Sequence, residues 1–339
     1  MRIAVLDIAA SKTGALSILK DFYDYVLNNP DGNEWIFITG VEGVLKDVPE
    51  NKISVICRED VKASSKNRLK FDLFTGAGFI KSLNADVLFS LQNTLPKGIG
   101  GIRKVLYVHQ PLGYQKTKRF SLFKKDERHL AFYQYLYSPL VNSSVRASDV
   151  TIVQTEWMKR AVIEKTKKKE VIKITPEVAD MPAGYYEEEF DKTSFFYPAG
   201  DILYKNHAVI ERAAALLKKE GINDFSVTFT NKVPLSRDEV YKMYFKSTLI
   251  FASYIETFGL PLAECMQTGN PILAADTEFA REVLSGYKQA YFFDPFDEKE
   301  LKELMKKVLE GRIIPGDGLM RAGRDNSYEG IVKLIRGQE

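Results

Sequence analysis

Short apolar runs alternate along the chain with longer stretches whose apolar positions recur every three to four residues. That alternation predicts strands and helices in β-α-β order, with strands buried on both faces of a parallel sheet. In the first half the strands fall at Arg2–Ile8, Trp35–Thr39, Ile53–Cys57, Asp86–Leu91, Lys104–His109, Asp149–Gln154 and Val171–Ile174. The helical pattern covers Ala15–Leu27, Leu69–Leu83, Leu130–Val145 and Glu156–Lys165. The alternation restarts at Phe195. Strands follow at Phe225–Thr230, Leu249–Ala252, Pro271–Ala275 and Ala290–Phe293, separated by helices at Asn206–Lys219, Asp238–Phe245, Glu278–Leu284 and Glu298–Leu309.

The predicted architecture is therefore α/β, with two Rossmann-like β/α/β domains. The first spans residues 1–178 and a linker with an acidic cluster spans 179–194. The second spans 195–320, and a last helix over Asn326–Ile335, within 321–339, is expected to cross back to the first domain. A length of 339 residues suits two domains better than one core. Composition is that of a soluble globular chain, 45% hydrophobic and 27% charged, and no apolar run reaches the roughly 18 residues of a membrane span. The apolar start is too short for a signal peptide, so the expected location is cytoplasmic. Cys57 and Cys265 lie far apart in apolar elements and read as reduced core residues.

Candidate chemistry concentrates in Phe251–Glu264. An apolar run ends at Ala252, a loop follows, and a new periodic segment opens around Pro261, which is tolerated in a helix's first turn. The amides of Phe258, Gly259 and Leu260 would form an anion site at that helix start. Glu256 lies just before it and Glu264 about one turn inside, roughly 6 Å farther along the axis. A phosphate at the helix mouth with a diol near a carboxylate has the shape of a sugar nucleotide.

Other positions add to this. Gly14, beside Lys12, ends the first strand-to-helix loop and removes a side chain where a helix begins. His109 ends a strand, the edge at which ligands gather in open α/β sheets. Net charge is only +3, but Lys116, Lys118, Arg119, Lys124 and Lys125 are interleaved with Phe120 and Phe123. This stretch is a candidate contact for an anionic bilayer or an acidic acceptor; no nucleic-acid module accompanies it, so no nucleic-acid partner is expected.

Glu256-Thr257-Phe258-Gly259-Leu260-Pro261-Leu262-Ala263-Glu264 resembles the E-x7-E signature of retaining GT-B glycosyltransferases, family 4 in particular. The Thr268–Ile272 turn, Arg281–Val283 and Phe293–Phe296 are similar to that family's second domain in order and spacing. The resemblance covers roughly Phe195–Leu309 and is weak before it. It implies a GT-B fold whose two domains face across a cleft. It further implies that Glu264 binds ribose hydroxyls, and that Glu256 and the loop Thr257–Leu260 meet the donor sugar and diphosphate. By the same pattern Lys205, after the Gly200 turn, clamps the diphosphate, and Val233 lies in the base-binding segment Asn231–Pro234. His109 is similar to a first-domain histidine near the donor sugar, and Gly14 to the loop approaching it. Asp201 departs from the pattern, which often has arginine there, and leaves Lys205 more of the charge neutralisation.

The expected activity is retaining, metal-independent hexosyl transfer from a nucleotide-diphosphate sugar to a saccharide, with Glu256, His109 and Lys205 as catalytic residues. UDP is the first expectation for the leaving group and GDP the second. A lipid-linked surface glycan at the inner membrane face is the expected acceptor, with peripheral membrane contact. No cofactor is expected, and the chain contains no D-x-D motif. The alternatives are a sugar-nucleotide epimerase on a similar scaffold, a catalytically silent donor-binding subunit, and a paired-carboxylate hydrolase, which would need acids on opposite walls of its site.

Overall fold

The architecture was obtained as a computed structural model, and it describes residues 1–10, 13–181, 184, 189–319 and 327–338. The chain divides into two compact units. The first comprises Met1–Tyr114, Leu130–Thr175 and Asp325–Glu339; the second comprises Gln115–His129 and Pro176–Arg324. The sequence pattern sets Gln115–His129 in the first-half domain, whereas its contacts group it with the second unit. Most of the acidic linker cluster at 187–189 lies outside the described residues.

The first unit is built on a seven-stranded parallel sheet, β1 (Arg2–Asp7), β2 (Glu34–Thr39), β3 (Ile53–Cys57), β4 (Val87–Ser90), β5 (Arg103–Tyr107), β6 (Val150–Val153) and β7 (Val171–Lys173). Its order is β3-β2-β1-β4-β5-β6-β7, so the direction of winding reverses between β1 and β4. β4 and β6 are buried along their whole length, as strands covered on both faces must be. Helix Thr13–Asn28 turns Leu19, Phe22, Tyr23 and Val26 inward at helical spacing. The Phe22 ring lies 5.2 Å from Phe89 and 5.8 Å from Trp35, edge to face in both cases. Helix Ser327–Arg336 belongs to this unit and places Ile331, Val332, Leu334 and Ile335 in the same core. Arg103 Nε and Nη2 donate to the carbonyl of Leu334 at 3.2 and 3.0 Å and hold the helix's last turn.

Two expected helices carry π-helical turns. Leu69–Leu83 appears as Ser65–Lys70, a π stretch Phe71–Thr75, and Gly76–Ser82. Leu130–Val145 appears as Arg128–Ala131, a π stretch Phe132–Tyr137, and Ser138–Ala147. In the second case Pro139 follows the wide turn. Its ring would press on a carbonyl one turn back in a regular helix, and the π turn relieves that clash.

The second unit has five parallel strands, β8 (Ser194–Tyr197), β9 (Ser226–Phe229), β10 (Thr248–Phe251), β11 (Ile272–Ala275) and β12 (Ala290–Phe293). Their order is β12-β11-β10-β8-β9, which sets the reversal between β8 and β10. Helices His207–Lys219 and Glu298–Leu309 pack on one another, the first burying Val209, Ile210, Ala213 and Leu217 and the second Leu301, Met305 and Val308. Glu220 accepts from Lys302 at 2.5 Å and Lys306 at 2.9 Å across their exposed edge. No helix among the described residues is long and apolar enough to cross a membrane.

Candidate functional site

In an open α/β sheet, a crevice forms at the carboxyl ends of the two strands that flank the reversal of winding. In the second unit those strands are β8 and β10, and the candidate residues lie in the loops after them. After β8 the chain passes Gly200 and a single 3-10 turn, Leu203–Lys205. After β10 it runs through Ser253 and Glu256 into helix Leu260–Cys265.

The two loops are tied together. The amide of Tyr254 donates to the carbonyl of Tyr204 at 3.1 Å, and the hydroxyl of Tyr197, at the end of β8, donates to the carbonyl of Lys205 at 2.6 Å. Lys205 Nζ donates to Glu256 Oε1, and Ser253 Oγ donates to the same oxygen at 2.8 Å. Both charged side chains are more than four-fifths buried. Glu256 Oε2 takes no hydrogen bond from any described residue. The result is a cation and a carboxylate held in fixed relation, with one carboxylate oxygen left for a ligand hydroxyl.

Gly259 is the left-handed residue before the helix, with φ of +90°, and a Cβ there would press on Leu262 at 3.3 Å. The helix is only six residues long and continues as a 3-10 turn, Met266–Thr268. Its dipole is correspondingly small, so the lysine supplies more of the positive field than a long helix would require. Phe258 is 2% exposed and is a packing residue, while Thr257 is half-buried and Leu260 exposed. At Gly200 a Cβ would meet nothing within 4 Å.

Glu264 is 4% exposed and both of its oxygens have partners. Tyr244 OH donates to Oε2 at 2.8 Å, and Arg237 Nη2 donates to Oε1. Arg237 and Tyr244 both project from helix Arg237–Lys246, which opens with a reciprocal Ser236–Glu239 capping box. Val233 lies in the exposed turn after β9, and its amide already donates to the carbonyl of Phe229 at 3.0 Å. Contact with a base would therefore come from its carbonyl or side chain. Asp201 is exposed beside the half-buried His207, whose ring nitrogen Nε2 has no partner.

The first unit places other candidates at the equivalent edge of its own sheet. His109 follows β5. Its Nε2 lies 2.8 Å from the carbonyl of Leu91, and a carbonyl can only accept, so Nε2 carries the proton and Nδ1 is the acceptor. Burial pushes the imidazole down to about 4, against the raising effect of that carbonyl. His109 is thus neutral near pH 7. Gly14 lies in the first turn of helix Thr13–Asn28, and Lys12 lies outside the described residues. Asp7, at the end of β1, is 1% exposed. Its Oδ1 accepts from the Ala10 amide at 3.1 Å and its Oδ2 has no partner. Burial pushes its carboxyl up to about 7, although the Ala10 amide, Arg68 and Lys62 pull the other way.

The basic aromatic stretch does not present itself as a continuous face. Phe120 is 3% exposed and packed inside, so it is not a surface contact. Lys118 pairs with the buried Glu127 at 3.3 Å, and Ser121 donates its amide to that carboxylate at 2.8 Å, which holds Glu127 below the usual carboxylate range. Lys116, Arg119, Lys124 and Lys125 remain exposed around Phe123, which is 93% exposed. Cys265 is buried and its thiol is pushed up to about 12 by burial, while Cys57 is half-buried and also free. Among the described residues no group of three or more His, Cys, Asp or Glu side chains could hold a metal ion.

Sequence reasoning missed Ser253, Arg237, Tyr241 and Tyr244. Arg237, Tyr241 and Tyr244 stand at i, i+4 and i+7 of a helical pattern, which places them on one face. Their meeting with Glu264 depends on tertiary packing.

Two parallel-sheet Rossmann-like units of this kind make up the GT-B fold, and several of its solved examples align with nearly all of this chain. Sucrose-phosphate synthase from Thermosynechococcus elongatus aligns over 99% of this chain and 98% of its own, with a TM-score of 0.64 and 13% identity. HepE of Anabaena, solved in complex with UDP and glucose, covers 99% and 100% at a TM-score of 0.64 and 12% identity. WaaG, a glycosyltransferase involved in lipopolysaccharide biosynthesis, covers 99% and 100% at 0.64 and 13%. Residues 196–324 match the family described as Glycosyl transferases group 1, so the chain carries a domain of that family. No curated protein sequence matches the chain.

Proposed function

We propose that the protein is a retaining glycosyltransferase that moves a hexosyl group from a nucleotide-diphosphate sugar, a UDP-sugar first, to a saccharide acceptor in bacterial surface polysaccharide assembly. The observation that carries this reading is the Lys205–Glu256 pair in the two loops at the sheet reversal, within the segment that matches group 1 glycosyltransferases. HepE binds UDP and UDP-glucose in its solved complexes, and WaaG acts in lipopolysaccharide biosynthesis. Both bear on the choice of donor and setting.

In this reading Lys205 and the amides before helix Leu260–Cys265 take the negative charge that builds on the diphosphate as the sugar–phosphate bond breaks. Glu256 Oε2 accepts from a hydroxyl of the sugar and its charge stabilises an oxocarbenium-like state. The leaving phosphate oxygen takes the acceptor hydroxyl's proton as the new glycosidic bond forms on the same face. Lysine in place of a metal ion makes the transfer metal-independent. Glu264 holds the ribose diol. In the first unit, neutral His109 offers Nδ1 as a hydrogen-bond acceptor to a ligand hydroxyl. Acceptors attached to lipid would bring the exposed Phe123 and its neighbouring lysines to the inner membrane face.

The test is transfer from UDP-glucose and other sugar nucleotides to a saccharide panel that includes lipid-linked acceptors. Removal of one charge-stabilising group costs on the order of a hundredfold in turnover in comparable sites. Lys205→Ala and Glu256→Ala are each expected to fall by at least that much, with the anomeric configuration of the product, read by NMR, matching that of the donor. Undiminished turnover in both variants would refute the assignment.

A further inference from the structure

Glu264 and the ring of Tyr241 are both nearly inaccessible, at 4% and 8% exposed, and one side chain covers both. The Arg237 guanidinium donates to Glu264 Oε1 and lies 4.5 Å above the Tyr241 ring centroid. Arg237 itself is 56% exposed along its side chain, whereas the Glu264 side chain is 6% exposed. Tyr244, the other partner of Glu264, is 1% exposed and donates to Oε2 at 2.8 Å. The arrangement has a fixed floor and an outer cover that is half in solvent. Beneath the cover lie a carboxylate, which binds a diol, and an aromatic ring, which supports a planar or sugar face.

The geometry points to Arg237 as a displaceable lid over the nucleoside site, whose guanidinium must leave Glu264 Oε1 before a ribose diol can take its place. This rests on the nucleotide-sugar reading above and adds to it a closed form of the site and the residue that closes it. Only the guanidinium side of the pair is in solvent, so opening it leaves the buried Glu264 short of a partner until the diol takes the guanidinium's place. Ligand affinity is lowered by the fraction of molecules in which the site is covered. The competition is between a guanidinium and a neutral diol for one carboxylate oxygen, so screening the ion pair favours the ligand.

Binding to the full chain is measured by titration calorimetry at low salt with UDP and with GDP, and then with uridine or guanosine, whichever diphosphate binds. The uncharged nucleoside separates uncovering of Glu264 from loss of a positive charge near phosphate. Arg237→Ala is expected to bind the nucleoside several-fold tighter than wild type. In wild type, nucleoside affinity is expected to rise from low to high potassium chloride, and in Arg237→Ala to stay flat. The salt series on wild type holds even if the variant folds poorly. A nucleoside that binds Arg237→Ala no better than wild type, or a wild-type affinity that does not rise with salt, overturns the lid. If UDP binds but Glu264→Gln leaves its affinity unchanged, the ribose sits elsewhere and the lid falls while the donor reading stands. If neither diphosphate binds wild type or Arg237→Ala, both readings fall.

Discussion

Asp7 carries its carboxyl into the protein interior with one oxygen unpartnered, and its neutral form is favoured up to about pH 7. An unfolded chain ionises the same group near 3.8. The folded chain therefore holds a proton between those values that the unfolded chain has released. The stability this proton confers is complete below about 3.8 and is lost as pH rises through about 7. Asp7→Asn keeps the shape and removes the ionisation. It is expected to be more stable than wild type above neutrality, by up to about 4 kcal/mol, since each tenfold change in proton affinity is worth roughly 1.4 kcal/mol, with the difference vanishing in acid. Urea titrations across pH, followed by tryptophan fluorescence, would check this, and an unchanged wild-type-to-variant difference would refute it. His109 works in the opposite sense in the same unit. Its imidazole is neutral when folded down to about pH 4, so its contribution is lost as pH falls below 6.5.

At the scale of elements, the turn between Met266 and Ile272 connects packing to the site. Gly269 has φ of +79°, and a Cβ there would lie 2.1 Å from the carbonyl oxygen of Gly316. The next residue, Asn270, is 4% exposed and donates through Nδ2 to the carbonyls of Tyr244, at 2.8 Å, and Phe245. Those are last-turn carbonyls of the helix that presents Arg237 and Tyr244 to Glu264. Gly269→Ala is expected to cost about 2 kcal/mol or more and to weaken UDP binding several-fold through that helix. Reaction of Cys265 with a thiol reagent in mild denaturant reports the opening of this unit. Unaltered protection together with unaltered UDP affinity would show the turn to be tolerant.

Much at this scale is legible in the sequence. Ile53–Cys57, Ala290–Phe293 and Glu298–Leu309 have the predicted bounds, and most other elements differ by a residue or two, because uninterrupted apolar runs and full helical periods leave few alternatives. The π turns at Phe71–Thr75 and Phe132–Tyr137 are not legible, since one extra residue in a turn leaves the apolar period nearly unchanged. Within the site, Glu256, Glu264 and Gly259 stand out through local spacing, and Lys205 through the family resemblance alone. Arg237 does not, because its pairing with Glu264 spans 27 residues and is made by the packing of two helices. Phe120 misleads for a related reason. A phenylalanine among lysines reads as surface until the fold supplies Glu127 to draw Lys118 down over its ring, 5.4 Å from the centroid.

For the molecule as a whole, the helix Ser327–Arg336 is a core element of the first unit. Ile335 is fully buried and Tyr328 lies 5.9 Å from the ring of Phe22. Ile335→Ala removes buried methyl and methylene groups and is expected to cost about 2–5 kcal/mol. The chain's two tryptophans, Trp35 and Trp157, both belong to the first unit, so their fluorescence follows that unit. Its unfolding midpoint should move to lower urea while Cys265 protection, in the second unit, holds. A shift of both together would show that the units unfold as one.

That helix also bears on how the protein is made. Translation delivers β1 before the second unit's Pro176–Arg324 segment and Ser327–Arg336 after it. Of the two units, the one begun before the other is thus completed after it. While the ribosome is still adding the segment that matches group 1 glycosyltransferases, Phe22, Trp35 and Phe89 lack the Ile331–Ile335 stripe that packs with them in the finished core. The second unit can reach its native state in that interval, and a nascent chain stalled before residue 327 would present an unsealed apolar surface to chaperones.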